Sequence, residues 1–480
     1  MSGLPDIPSQ RPPASALPPI ERGPQDRFEQ AKQYLNRVGL QALTPGEHHQ
    51  IKATYGQRLK EAIGGDTSHL KMVDTLIDPQ RIAEMDFPPN KTVWVAEVGG
   101  TNLRVAILET DSDGEPHVVE VPSGRRGAGQ PAFMSVKLDR RQFSSMDEFT
   151  TMVADRMHDL ARLTAPNPSD PTQIKPPDVC GYIFSFSGTP VEHADNIDVM
   201  FTEANLPAIA AKGFAFPGIE AKPVGEALND ALRNHYDIDV PTYVTMNDTP
   251  ILAISHPDSR LGLVVGTGAN FSAIVDNKLY NTALPTFHEA PTYELFRKVD
   301  ATGEASAFKE IGGMYLGKIM AQAIEDLYQE GILTTDLYLG KEITASDMAT
   351  IVRGFTGEGG EERLHQTQQL FSTEIDAESQ QILQEIARRL FARSAELMGT
   401  FLATFMNTFP DHFRDHEIIP AQGSVMWEAP EYEETLRTTV NGLLENGKTV
   451  EFSYHPHAGI VGITHAALSV LQAKQGKEAA

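Results

Sequence analysis

Asp248 stands in TMNDTP at the end of the apolar run 242–246, flanked by Asn247 and Thr249. A carboxylate fixed at a strand end is what phosphoryl transfer needs to take the proton of an acceptor hydroxyl. The same Asn-Asp-Thr also reads as an Asx turn or a helix N-cap. Two glycine turns accompany it. In AEVGGTNLRV, residues 96–105, Gly99 and Gly100 can adopt positive φ and point several N–H groups one way. The side chains of Thr101, Asn102 and Arg104 suit phosphate oxygens, although an ordinary hairpin would carry the same letters. In VVGTGAN, residues 264–270, Gly266, Thr267 and Gly268 make a second phosphate-sized turn, without the third glycine of a dinucleotide fingerprint. GGMYLGK, residues 312–318, nearly matches a phosphate-binding P-loop, but Ile319 occupies the place of the Mg²⁺-binding hydroxyl and the setting reads as a helix. His455 and His457 have no third ligand near them in sequence, so HPH reads as a polar turn.

Several elements must position these residues. Apolar runs predict strands at 93–98, 104–108, 181–186 and 242–246, and a hairpin over 261–275 around Gly-Thr-Gly. Ile51, Tyr55, Leu59 and Ile63, four apart, predict a helix over 50–63, and 224–232 predicts another. Ile382, Ile386, Leu390, Leu397, Phe401 and Phe405 form one stripe on a long helix. A late strand, EIIPAQ, leads to Gly423, and an Ala- and Gly-rich helix closes the chain. Strands alternating with helices give an α/β class.

At 480 residues the chain suits two lobes. The net charge of −25 repels nucleic acid and anionic lipid, and no apolar run of about 18 residues predicts a membrane span. The Pro-rich stretch 1–26 reads as a disordered leader with no secretory character. The one cysteine, Cys180, reads as a small buried side chain ahead of a strand, and its solitude fits a reducing cytoplasm.

The order of these motifs resembles the hexokinase family, within the ATPase superfamily that includes actin and the Hsp70 chaperones. EVGGTNLRV resembles the family's first phosphate motif, Asn247-Asp248-Thr249 its catalytic triplet, GLVVGTGAN its second phosphate motif and GGMYLG its helix. HLKMV, 69–73, resembles the segment before its small domain, and QGSVMW with GIVG its adenosine site. The resemblance implies a two-lobed, ribonuclease-H-like ATPase fold with an interlobe cleft. The small lobe would be 90–247 plus 460–480, and the large lobe 27–89 plus 248–459. It further implies a MgATP-dependent hexose kinase with Asp248 as base. Gly99, Gly100, Thr101, Asn102, Gly266, Thr267, Gly268, Asn270, Gly423 and Ser424 would face ATP, and Glu97 would reach Mg²⁺ through water. Ser185, Lys212, Asn247, Asp248 and Glu310 would hold the sugar, with Thr202, Asn281 and Glu289 as further candidates.

The sugar side departs from the family pattern. Ser187 follows Ser185-Phe186 where the family has proline, and Asn281-Thr282 is followed by Ala283 where it has glutamate. Its Trp-Thr-Lys-Gly-Phe is split between Phe201-Thr202-Glu203 and Ala211-Lys212-Gly213-Phe214. Glu310 stands out of register, and Glu97 replaces aspartate. These departures leave two alternatives open: a regulator that binds sugar or nucleotide without turnover, and a kinase for an amino or acylated hexose.

Overall fold

The computed structural model of the chain describes residues 26–99, 102–122, 129–138, 143–186, 188–193, 195–203, 218–220, 222–300, 306–338 and 341–479. The leader up to residue 25, Gly100, Thr101, Ser187 and the stretch 204–217 that contains Lys212 lie outside them.

Two sheets organise the fold. The strands are β1 (Val73–Asp74), β2 (Thr92–Val98), β3 (Asn102–Thr110), β4 (Pro116–Val118), β5 (Phe133–Lys137), β6 (Val179–Phe184) and β7 (Thr189–His193). They continue with β8 (Asn196–Met200), β9 (Tyr243–Asn247), β10 (Leu261–Val265), β11 (Ala269–Val275), β12 (Lys278–Asn281), β13 (His416–Gln422) and β14 (Thr449–Ser453). The first sheet runs β4-β3-β2-β6-β9-β8-β7, with β5 on β3; the second runs β1-β12-β11-β10-β13-β14. In the first, β2, β6 and β9 are parallel. Every residue of β2 and β6 is buried, as expected of central strands covered on both faces.

Alternation along β2 separates two cores. Trp94, Ala96 and Val98 face the helices Met146–Thr164 and Val224–Tyr236, whereas Val93 and Val95 face the C-terminal helix Ala458–Ala479. That second core also takes Ile251, Ile274 and Leu279, so the C-terminal helix packs against both sheets. Its glycines permit the approach: a Cβ on Gly462 would lie 2.3 Å from the Ile251 carbonyl oxygen. The largest core lies on the second sheet and is filled by the helix Ala377–Thr408, whose expected stripe is buried throughout. The helix Pro45–Ile63 packs there too, started by a capping box between Thr44 and Glu47 and by Pro45 in its first turn.

Most predicted elements are present, with two differences. Cys180 is the second residue of β6 rather than a residue ahead of it. The hairpin β7–β8 is an addition to the predicted elements; its alternation is weak because most of β7 is half-buried or exposed. The GGMYLG segment starts the helix Gly313–Gln329, which agrees with the exclusion of a P-loop.

Candidate active site

The carboxyl ends of β2, β6 and β9 open into a cleft of about 510 Å³, and the turn between β10 and β11 faces them across it. Strand ends of this kind are the usual ligand-binding side of an open α/β sheet. Ser185, Asn247 and Asp248 line one wall; Gly266, Thr267, Gly268, Asn270, Gly423 and Ser424 line the other; Gly99, Asn102 and Arg104 close it from the first hairpin.

Asn247 is the N-cap of the short helix Asp248–Ala253, its side-chain oxygen accepting from the Thr249 N–H at 3.2 Å. Its Nδ2 donates to the carbonyls of Phe184 and Phe186 at 3.0 and 3.3 Å. The capping reading of Asn-Asp-Thr therefore holds for Asn247, and it leaves Asp248 half-buried on the cleft wall. The Thr249 hydroxyl donates to Asp248 Oδ1 at 3.2 Å and steadies the carboxylate. Asn281 donates to Asn247 Oδ1 at 3.1 Å and accepts from Asn270 Nδ2 at 2.6 Å, so three amides tie the second sheet to the end of β9.

The Gly-Thr-Gly turn is tightly determined. The Gly266 N–H donates to the Gly268 carbonyl at 2.8 Å. The carbonyls of Gly266 and Thr267 accept from the N–H groups of Gly313 and Met314 at 2.8 and 3.1 Å, which satisfies the first donors of the helix that follows. Gly423 has φ +114°, and a Cβ there would lie 2.1 Å from the Val265 carbonyl oxygen. The turn after β13 thus presses its backbone directly on the turn after β10.

Glu97 and Arg104 are register partners across β2 and β3, and their side chains pair at 2.6 Å. Burial pushes the Glu97 carboxyl up, Arg104 pulls it down, and the charge of Asp248 pushes it up again; the net direction is upward. Glu97 is 8% exposed and stands behind Arg104, which itself reaches the cleft.

Four of the sugar-side candidates, Glu310, Glu289, Thr202 and Asn281, lie off the cleft lining. Glu310 is 3% exposed and turns into the large core, 3.6 Å from Arg393. Phe308, two residues earlier on the same turn of helix, lines the cleft instead and lies against Gly268. Glu289 is spent on Arg58, with contacts of 2.7 and 3.1 Å, outside the cleft. Thr202 is exposed and lies off the cleft lining. Asn281 sits behind Asn247 and Asn270 as a link between them. Where the family pattern has a glutamate, Ala283 is buried at φ +44°, its N–H donating to Asn281 Oδ1 at 3.1 Å. The cleft also holds Glu428, Tyr454 and Pro285, none of which the motif reading singled out, and Trp427, the last residue of the QGSVMW motif.

Among the described residues no group of three or more His, Cys, Asp or Glu side chains could hold a metal ion, and no helix is long and apolar enough to cross a membrane. His455 stacks on His256, and His457 meets the edge of Phe133.

A family model described as hexokinase matches residues 294–471. Hexokinase-2 of Saccharomyces cerevisiae is 25% identical over 353 residues, which span 66% of this chain and 66% of that protein. Hexokinase-1 of Schizosaccharomyces pombe is 24% identical over 396 residues, 76% of this chain and 75% of that protein. The solved hexokinase from Schistosoma mansoni, complexed with glucose, superposes with a TM-score of 0.70 at 17% identity, covering 93% of this chain and 99% of that one, so the chain has the mixed α/β two-sheet fold of that structure. With the ordered motifs carried on that fold, the chain is similar to hexokinases in sequence and in fold.

Proposed function

We propose that this protein transfers the γ-phosphoryl group of MgATP to a hexose, glucose or a close relative at its 6-hydroxyl, with Asp248 as the base. The observation that carries this reading is the placement of the half-buried Asp248 carboxylate across an open cleft from the Gly266–Gly268 turn. In this reading Asp248 takes the proton of the attacking hydroxyl as the oxygen bonds to phosphorus and ADP leaves. Backbone N–H groups and Thr267 hold phosphates, Arg104 offers charge, and Ser185 holds a sugar hydroxyl. Mg²⁺ arrives on the ATP; it keeps most of its waters, and Glu97 would act on one of them. The lobes 90–247 with 460–480, and 27–89 with 248–459, close on the sugar and exclude water. The family likeness and the glucose complex of the Schistosoma hexokinase support the substrate class.

One observation favours a second reading, a sugar sensor with weak turnover or a kinase for an amino or acylated hexose. Where the family pattern has a glutamate after Asn-Thr, this chain has Ala283, and the Glu310 carboxylate is buried in the core while Phe308 lines the cleft. Coupled ADP release over glucose, mannose, fructose, glucosamine and N-acetylglucosamine separates the readings. Sustained release with glucose supports the first; release confined to an amino sugar redirects it. A sugar that raises the Tm but yields no ADP identifies a sensor.

A further inference from the structure

The helix Arg27–Arg37 is pinned along the long helix Ala377–Thr408 at both of its ends. The Arg27 guanidinium donates to Asp376 Oδ1 at 2.9 Å and to Glu378 Oε2 at 2.6 Å. Further along, Arg389 donates to Asn36 Oδ1 at 2.6 Å and to the Leu40 carbonyl at 3.1 Å. The two helices therefore run parallel, and the chain before Asp26 is aimed past the N-terminus of the long helix. The segment that leads into that N-terminus, 371–375, walls a groove of about 1000 Å³ with the helix Gly360–Gln368. Phe371 and Ile375 are buried in this groove, Leu364 is half-buried, and Tyr338 is 49% exposed. Gln368 fixes its shape, donating to the Thr373 carbonyl at 2.6 Å and accepting from the Ile375 N–H at 3.0 Å. No residue lines both this groove and the cleft that holds Asp248.

We infer that this groove is the seat of the chain's own segment 17–25, LPPIERGPQ, with Leu17-Pro18-Pro19-Ile20 against Tyr338 and Leu364. The inference is independent of the kinase reading. Reach allows it: at about 3.1 Å per residue, the seven steps from Arg27 back to Ile20 cover about 22 Å, against about 14 Å for the whole helix Gly360–Gln368. The chemistry fits, because proline rings on an open aromatic face are how Pro-rich segments are held in aromatic-lined grooves. Charge fits as well: Glu361 and Glu374 on the groove suit Arg22, and Lys341 suits Glu21. Pro18, Pro19 and Pro24 have φ fixed by their rings, so the segment loses little freedom on docking. The tether at Arg27 supplies the rest. It presents the segment to the groove at an effective concentration on the order of millimolar, at which a contact too weak for a separate peptide is held.

The test compares amide hydrogen exchange in the full chain with that in a variant carrying Leu17→Asp, Pro18→Gly, Pro19→Gly and Ile20→Asp together. The variant alters no residue of the groove or of any core. Amides of 361–375 should exchange about tenfold faster in it, while those of the helix Pro45–Ile63 keep their rates. Cysteine pairs give a second reading, because the native Cys180 is buried and does not compete. Ile20→Cys with Gln369→Cys, on the groove, should close a disulfide within one chain about tenfold faster than Ile20→Cys with the exposed Gln57→Cys. Equal exchange across 361–375 in the two proteins overturns the inference. So does equal closure of the two cysteine pairs. A disulfide formed only between two chains overturns it too, since the occupant would then be the leader of a second copy.

Discussion

At the Gly266–Gly268 end of the cleft, backbone packs on backbone; at the Asn247–Asn281 end, the wall is made of side-chain amides and a phenyl ring. The first end leaves no room for a Cβ at Gly423 and little at Gly312, where one would lie 3.0 Å from the Thr267 carbonyl oxygen. Its letters are forced by this close packing of backbone on backbone. The second end depends on which side chain a helix turn aims at the cleft. There Phe308 faces in and Glu310 faces away. The end proposed to bind phosphate is thus determined by backbone packing, and the end proposed to bind sugar by the choice of side chain.

The largest effect is expected from Gly423→Ala. The positive φ and the 2.1 Å approach to the Val265 carbonyl would push the two phosphate turns apart. Destabilisation of about 3–4 kcal/mol and a loss of about 10²-fold in kcat/KM for ATP are expected from a displacement of this size. Denaturant melts and initial rates check both; a variant as stable and active as wild type would show that the two turns do not define the phosphate end.

At the sugar end, Phe308→Glu introduces a carboxylate where the wall has none. A charged acceptor for sugar hydroxyls should lower the hexose KM by about tenfold or more. An unchanged KM with a folded variant would mean that the sugar lies elsewhere in the cleft.

Glu97→Gln bears on the join between the two ends. Removing the charge behind Arg104 should reduce kcat by about tenfold at saturating Mg²⁺ while ATP affinity changes little, because a charge that acts as the phosphoryl separates affects the transition state most. If kcat is unaltered across a Mg²⁺ titration, Glu97 serves only to brace Arg104, with which it pairs at 2.6 Å.

Glu310→Gln should leave the sugar KM untouched, in contrast with Phe308→Glu. Its effect is on stability. Burial pushes the Glu310 carboxyl up from the ordinary 4.5 to about 8, against the pull of Arg393. Between those values the folded chain holds a proton that the unfolded chain has released. The stability this gives is complete below the ordinary range and is lost as pH rises towards about 8. Relative to wild type, the Gln variant should therefore gain roughly 2–5 °C in Tm between acid and mildly alkaline pH. A flat difference would place the Glu310 carboxylate in contact with solvent.

The glycine turns of the cleft were legible in the sequence because glycine spacing is itself the structural requirement, and Gly99, Gly266, Gly268 and Gly423 all lie on the cleft lining. The β2–β3 and β10–β11 hairpins were legible for the same reason: apolar runs on either side of a glycine turn fix their pairing. The sugar end was not. Whether residue 308 or 310 faces the cleft depends on how the helix Ala307–Ile311 breaks at Gly312, whose ψ of 135° is extended. Spacing from the GGMYLG segment does not reveal that break. Asn281 reads as a ligand by type, yet its amide joins Asn247 to Asn270, a use set by the sheet register between β11 and β12. Trp427 was visible, but its partner Tyr454 comes from a different strand connection, and only the parallel pairing of β13 with β14 brings the two together.

The most direct measurement is kcat for Asp248→Ala beside wild type, with ATP affinity determined separately. Asp248 lines the cleft apart from the turns that would hold phosphate, so turnover should fall by about 10²-fold or more while ATP binds within about twofold of wild type. Near-normal turnover in the purified variant would contradict a phosphoryl transfer that depends on this carboxylate.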